Sequence, residues 1–361
     1  MRRRKLALAS LALACCTLVQ ASDGVSAREL RLGMANALSG PAAGLGLQLR
    51  AGASAYLAKV NEAGGVHGRS INLLSVDDAY DPALTVAMTR NLIEKDKVFA
   101  LFGYVGTPTS AAAVPIAVKA GVPYLFPFTG AEFLRHPAQA LVFNLRASYY
   151  DEAEALVAQL HGEQGFKRIA LFIQDDEFGE AAKAGVLRAL QKRHLKPVME
   201  ARYTRNTIGV DAGLKQLERT RPDAVVFIGT YRPLAVLVKR ARSAGIDARF
   251  ATVSFVGTSE LIKHAGVAGE GIIISQVMPS PDDSGDALVR QYQADVPAAA
   301  RNYGSLEGYI DAVMLVEALR RCGKEPSRES LLRALETVKA ELGYERVFLT
   351  RIRDGAAVPL R

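Results

Sequence analysis

Positions 103–110 read Gly103-Tyr104-Val105-Gly106-Thr107-Pro108-Thr109-Ser110. An apolar β-rich run there gives way to a helix with proline in its first turn. Free backbone N–H groups at such a helix start, beside the hydroxyls of Thr107, Thr109 and Ser110, form an anion site suited to a carboxylate. The competing use of Thr107 is as a helix cap. Aromatic residues Phe126, Phe128, Tyr149, Tyr150, Phe178, Tyr231 and Phe255 fall at or just beyond expected strand ends. The chain has no Trp, so any stacking on a ligand must come from Phe and Tyr. About half of such rings are expected in the core, and binding sites are themselves largely apolar.

Other chemistries lack their residues. Asp175, Asp176, Glu177 and Glu180 cluster without the spacing of a calcium loop and read as a solvated lip. His67, His136, His161, His194 and His264 are scattered, with no pair at zinc-binding spacing. Neither a Gly-x-Ser-x-Gly elbow nor a phosphate-binding Gly-x-x-x-x-Gly-Lys loop occurs. Gly44-Leu45-Gly46 is only a fragment of a dinucleotide fingerprint. No catalytic set, cofactor or metal site is expected.

The elements that must position these residues alternate. Strands are expected at 30–36, 71–76, 98–102 and 123–126, with helices at 44–61, 82–94 and 108–119 between them. A second series restarts with strands at 168–173, 197–203, 223–228, 250–253 and 271–277, interleaved with helices at 178–193, 209–219, 231–244 and 259–264. Continuously apolar strands such as Ala224-Val225-Val226-Phe227-Ile228 are buried on both faces, which argues for parallel sheets covered by helices. Two such series predict an α/β protein with two doubly wound parallel-sheet lobes. Ligands of such sheets sit beyond the carboxyl ends of the strands.

The chain opens with Arg2-Arg3-Arg4-Lys5, an apolar run over 6–19 and small residues up to Ala21 or Ala27. That order is a secretory signal, and the run is shorter than the roughly 20 residues a membrane-spanning helix needs. Cleavage fits after Ala21 or after Ala27. Lipidation at Cys15 or Cys16 fits less well, because Ala12-Leu13-Ala14 is a poor lipoprotein box. Removing 1–27 from a chain of net charge +8 leaves +5, without the basic blocks of a nucleic-acid binder. Hydrophobic residues at 49% suffice for real cores, and the remaining length predicts two of them. Cys322 is then the one remaining thiol, at an expected helix end, and cannot form an internal disulfide.

Several segments, in order, resemble the leucine/isoleucine/valine-binding family of periplasmic solute-binding proteins. They are Ser39-Gly40-Pro41, Asn61-Glu62-Ala63-Gly64-Gly65-Val66-His67-Gly68, Asp77-Asp78-Ala79-Tyr80-Asp81-Pro82, the segment 124–130, and Asp175-Asp176-Glu177-Phe178-Gly179. The resemblance spans about 30–349. It implies a type I periplasmic binding fold: a signal over 1–27, lobe 1 from 28–146 plus 282–338, lobe 2 from 147–281 plus 339–361, and a three-stranded hinge. It further implies a monomeric receptor without enzymatic activity. Such a receptor closes on a small carboxylate-bearing, partly apolar ligand and delivers it to an inner-membrane ABC permease. The alternative is a ligand-sensing subunit of a signalling system on the same fold. Together with the strand ends, the resemblance assigns ligand binding to Leu45, Thr107, Phe128, Thr129, Gly130, Tyr150, Phe178, Tyr231 and Ser254. Two departures stand out. Relatives often join a cysteine at the position of Tyr80 to one near Gly106, and both are absent. The glutamate that holds the α-ammonium in amino-acid binders aligns with Ser254. An ammonium would then need Asp176 or Glu307 in its place, because an unpaired buried charge costs several kcal/mol.

Overall fold

The structure is a computed structural model that describes residues 23–135, 139–344 and 346–360. The basic–apolar segment, Cys15, Cys16, Ala21 and His136 lie outside these residues. Among the described residues, no helix is long and apolar enough to cross a membrane.

Two sheets account for the alternation. The first contains β1 (Glu29–Asn36), β2 (Ser70–Asp77), β3 (Ala100–Phe102), β4 (Tyr124–Leu125) and β5 (Val142–Phe143). Their order is β2-β1-β3-β4-β5, all parallel. Helices α1 (Ala43–Glu62), α2 (Pro82–Glu94) and α3 (Thr107–Lys119) join them. The second sheet contains β6 (Ile169–Gln174), β7 (Glu200–Tyr203), β8 (Ala224–Ile228), β9 (Arg249–Thr252) and β10 (Ile273–Gln276) in parallel, in the order β7-β6-β8-β9-β10. Its helices are α4 (Tyr149–Val157), α5 (Glu177–Gln191), α6 (Asp211–Thr220), α7 (Tyr231–Ser243) and α8 (Thr258–Ala265). The strand order reverses at β1/β3 and at β6/β8, and these switch points open the crevice where open α/β sheets bind ligands.

Some expected strands are shorter in the structure, for local reasons. The strand expected over 98–102 begins at Ala100, just after Lys97 takes φ +52. The strand expected over 123–126 stops before Phe126, whose φ of +53 ends the extended run. Past β10 the chain returns to the first sheet as α9 (Ala287–Asp295), α10 (Tyr303–Arg321) and α11 (Arg328–Leu342). It then adds the hairpin β11 (Phe348–Arg353) and β12 (Ala356–Pro359) antiparallel to β10. Asp354 and Gly355 make that turn with φ of +50 and +74, the two-residue geometry that suits the strands' twist. The chain therefore passes between lobes three times: after β5, after β10 and after α11. Cys322 caps the C-terminal end of α10 and is partly buried.

The return of α10 depends on glycine. A Cβ on Gly52 of α1 would lie 1.8 Å from the carbonyl oxygen of Ser305, and one on Gly308 of α10 would lie 2.0 Å from that of Leu49. Backbone meets backbone at both places, so no side chain can move aside. This contact brings the preceding residue, Glu307, down to the crevice. We expect Gly52→Ala and Gly308→Ala each to destabilise the protein by ~1–3 kcal/mol, the range for overpacking a filled site, measured as a lower urea midpoint. Unchanged midpoints would mean the helices part freely.

Candidate functional site

Arg146 sits on the first passage between lobes, just after β5, flanked by buried Leu145 and Ala147. The next residue, Ser148, caps α4 in a capping box with Asp151, which fixes where the passage ends. Arg146 itself is only 2% exposed. Its Nη2 donates to Ser254 Oγ (2.8 Å), and its guanidinium lies 4.1 Å from the centre of the Phe128 ring. Its Nε is 2.9 Å from Glu307 Oε1. That contact is electrostatic, because neither Nε nor Nη1 of Arg146 has a hydrogen-bond acceptor.

Three buried carboxyls surround this one cation. Glu152 Oε2 accepts from the Ser254 amide (2.8 Å) and the Ser275 hydroxyl (2.7 Å), while its Oε1 has no donor. Glu307 and Asp311 lie one turn apart on α10, 3% and 1% exposed. Burial raises all three pKa values because it disfavours the charged form. For Glu307 burial wins over the opposing Arg146, the Glu152 charge adds to it, and the carboxyl is pushed up to about 7. Asp311 rises well above the carboxylate range through burial and the charge of Glu307.

A narrow cavity lies over this cluster, lined by Leu45, Gln48, Phe128, Arg146, Ser254 and Glu307 among others. Beside it runs an aromatic wall. Phe255 has ring-centre distances of 4.6 Å to Phe178, 5.8 Å to Phe128 and 5.9 Å to Tyr80. Tyr149 extends the wall, 5.4 Å from Phe178. The lobes touch directly around it. The Gly44 amide donates to Tyr231 Oη (3.2 Å), Gln48 Nε2 to Ser259 Oγ (3.0 Å), and Gln174 Nε2 to Tyr80 Oη (3.2 Å).

The expected residues distribute unevenly. Leu45, Phe128 and Ser254 line the cavity. Phe178 belongs to the wall and Tyr231 to the interlobe contact. The hydroxyls of the expected anion site are bonded to protein groups instead. Thr107 Oγ1 is 2.7 Å from Thr129 Oγ1, which donates to Tyr149 Oη; Thr109 Oγ1 donates to the carbonyl of Gly106; Ser110 Oγ accepts from Tyr124 Oη. Thr107 is not the cap of α3 either: Gly106 holds that position at φ +108. Gly130 packs under Tyr149, where a Cβ would lie 2.7 Å from its amide. Tyr150 faces α5 rather than the cavity, because its ring lies under the Arg188 guanidinium (5.1 Å) and against Gly185.

Of the two carboxylates considered for an ammonium, Asp176 is occupied. It caps α5 and pairs with Arg205 (3.0 Å). Asp175 and Glu180 pair with Arg202. Only Glu307 of the two reaches the cavity. Arg146, Glu152 and Asp311 had escaped the sequence reading. The one available signal was a pair of acids, Glu307 and Asp311, four apart in the apolar first half of a helix.

A carboxyl whose pKa is higher folded than unfolded keeps a proton that the unfolded chain has released. Its contribution to stability therefore erodes as pH rises from the ordinary 4.5 through about 7. Relative to wild type, we expect Glu307→Gln to gain ~2–3 kcal/mol of unfolding free energy across that window, measured by urea unfolding at successive pH values. A constant difference would mean that Glu307 titrates like an exposed glutamate.

Known proteins agree with this architecture. The periplasmic binding protein family model matches residues 29–358. The leucine-, isoleucine-, valine-, threonine- and alanine-binding protein of Pseudomonas aeruginosa is 26% identical over 333 residues, covering 90% of this chain and 88% of the relative. A possible leucine/isoleucine/valine-binding protein from Rhodopirellula baltica superimposes with a TM-score of 0.85 at 32% identity, covering 95% of this chain and 98% of that one. A substrate-binding periplasmic protein from Ralstonia solanacearum gives 0.85 at 28% identity, covering 92% and 100%. The family binds solutes without transforming them. By sequence, fold and cleft alike, this chain belongs to the periplasmic binding proteins of the leucine/isoleucine/valine-binding type.

Proposed function

We propose that this protein is a periplasmic receptor, acting as a monomer, that closes its two lobes on a small carboxylate-bearing, partly apolar molecule and delivers it to an inner-membrane ABC importer. One observation carries the reading. A buried guanidinium with unused N–H groups lies beside an aromatic wall in a cavity between lobes that hydrogen-bond directly to each other. The cation suits a carboxylate and the rings suit an apolar body. The Pseudomonas aeruginosa relative, with five amino acids in its name, supports a ligand of this size. Leu45, Phe128, Phe178, Tyr231 and Ser254 serve the ligand or the closed state, and the passages after β5, β10 and α11 serve as the hinge. Closure follows from differential affinity: the ligand touches both lobes only when they are closed.

Ser254 bears on the kind of acid. Its hydroxyl accepts from Arg146 and its amide donates to Glu152, so it offers no charge to an ammonium. We expect 4-methylpentanoate, which is leucine without its ammonium, to bind more tightly than leucine in calorimetric titration. Submicromolar leucine would show that Glu307 holds the ammonium.

Thermal-shift screening of amino acids, aliphatic acids, aromatic acids and amides tests the receptor reading. A ligand at 100 times its dissociation constant adds about 2.7 kcal/mol. With such a ligand, the radius of gyration by solution scattering should fall at constant mass. Identical scattering curves with and without it would exclude hinge closure.

A further inference from the structure

Three facts about Arg146 require a common explanation. It is buried, it lines the cavity, and two of its nitrogens, Nε and Nη1, have no hydrogen-bond acceptor. An unsatisfied buried N–H on a charged group is costly, and the guanidinium fork is shaped for two carboxylate oxygens. Glu307 is beside it, 2.9 Å from Nε, without closing that fork. Phe128 covers one guanidinium face, so a further acceptor must approach in the guanidinium plane, and with Ser254 on Nη2 and Glu307 beside Nε, Nη1 is the nitrogen left open to it.

We propose that Arg146 is the carboxylate receptor of the cleft and that Glu307 is its exchangeable counter-ion, which takes up one proton from solvent when a ligand carboxylate replaces it. The proposal rests on the receptor reading above and specifies the charge chemistry of that site. An entering carboxylate would be a fourth acid around one cation. The charged and titratable groups facing Glu307 are Arg146 from the passage after β5, Glu152 from α4 and Asp311 from its own helix; Tyr303, at the start of α10, lines the same cavity, and Gln48 from α1 is neutral. Glu152 Oε2 accepts from the Ser254 amide and the Ser275 hydroxyl, bonds that favour its charged form, whereas Glu307 has no hydrogen-bond donor of that kind. Glu307 is therefore the acid that a second anion would neutralise, and its position near neutrality makes the proton readily available. Arg146 also holds Ser254 of the second lobe, so a ligand seated on the guanidinium engages the element that passes between the lobes.

The test uses the mature protein with sodium 4-methylpentanoate and sodium benzoate as probes and their amides as controls. Calorimetry is run at pH 6–8 in buffers of differing ionisation enthalpy. We expect uptake approaching one proton per bound acid at pH 8 and an affinity that falls up to about tenfold per pH unit above 7. Glu307→Gln should abolish the proton uptake and bind the acid about tenfold more tightly than wild type at pH 8. Arg146→Met should lose at least a hundredfold for the acids and close the gap between acid and amide. Because Arg146→Met strands three buried acids, the double variant Arg146→Met/Glu307→Gln is measured beside it. If neither folds, the proton counts of wild type and Glu307→Gln decide. Proton uptake that persists in Glu307→Gln, or acid binding unaffected by loss of Arg146, overturns the proposal and leaves the receptor reading intact. If neither acid binds wild type while another solute closes the lobes, the carboxylate assignment fails together with this proposal.

Discussion

One guanidinium among three carboxyls, all removed from water, is the constraint around which the crevice is organised. Burying an ion pair is seldom a route to stability, because desolvation offsets the attraction unless the remaining polar atoms are satisfied. Here they are not: Arg146 has two unused nitrogens and Glu152 an unused oxygen. The surrounding structure is arranged to hold them there anyway. The capping box at Ser148 fixes the passage that carries Arg146, the glycine contact between α1 and α10 lowers Glu307 into the crevice, and β10 contributes Ser275 to Glu152. Stability alone would favour apolar residues of similar volume at these positions. A costly polar cluster kept inside a crevice is better explained by what enters it.

The contacts that hold the lobes together are of a different kind. Several of those across the cleft mouth are single hydrogen bonds between neutral groups or backbone, such as Gly44 to Tyr231 and Gln174 to Tyr80, each worth on the order of 1 kcal/mol. Deeper in, Leu45, Tyr80 and Phe128 from one side and Phe178, Tyr231 and Phe255 from the other form one continuous apolar cluster. Opening the lobes would wet those rings. In the hinge closure proposed above, apolar burial would supply most of the pull towards the closed form, and the unsatisfied charges would oppose it. A balance of that sort leaves the closed state within reach of a ligand's binding energy.

The same physics explains what was legible in the sequence. Alternating apolar strands and helices announced two doubly wound lobes, and Phe128, Phe178, Tyr231 and Phe255, just beyond the ends of β4, β6, β8 and β9, lie at the cavity, its aromatic wall or the interlobe contact. The two-residue strand β5 was too short to be seen, so Arg146, three residues beyond it, had no element to be read from. The hairpin β11–β12 carried a readable Asp354-Gly355 signal but fell after the last strand assigned. Hydroxyls were the weakest guide. Thr107, Thr109 and Ser110 have the composition of an anion site, yet a hydroxyl bonds whatever is nearest, and the nearest groups are Thr129, a backbone carbonyl and Tyr124. Glu307 and Asp311 reach the site from a helix more than 160 residues downstream of Arg146, a proximity that only the return of the chain creates.

Tyr80 shows how one substitution links these levels. The resemblance implies a cysteine there, bonded to another near Gly106, which would have tied the first lobe to itself. In its place the Tyr80 ring occupies the space above Gly106, where a Cβ would lie 2.3 Å from the ring. The chain accepts φ +58 at Tyr80 to bring it there, a conformation that is costly for a bulky residue. The ring then continues outward: it meets Phe255, and its hydroxyl accepts from Gln174 of the second lobe. A disulfide closes a loop in the open and closed forms alike. The tyrosine instead makes part of its contact across the lobes, so under the proposed hinge closure the residue that fills the place of the staple would also report on closure.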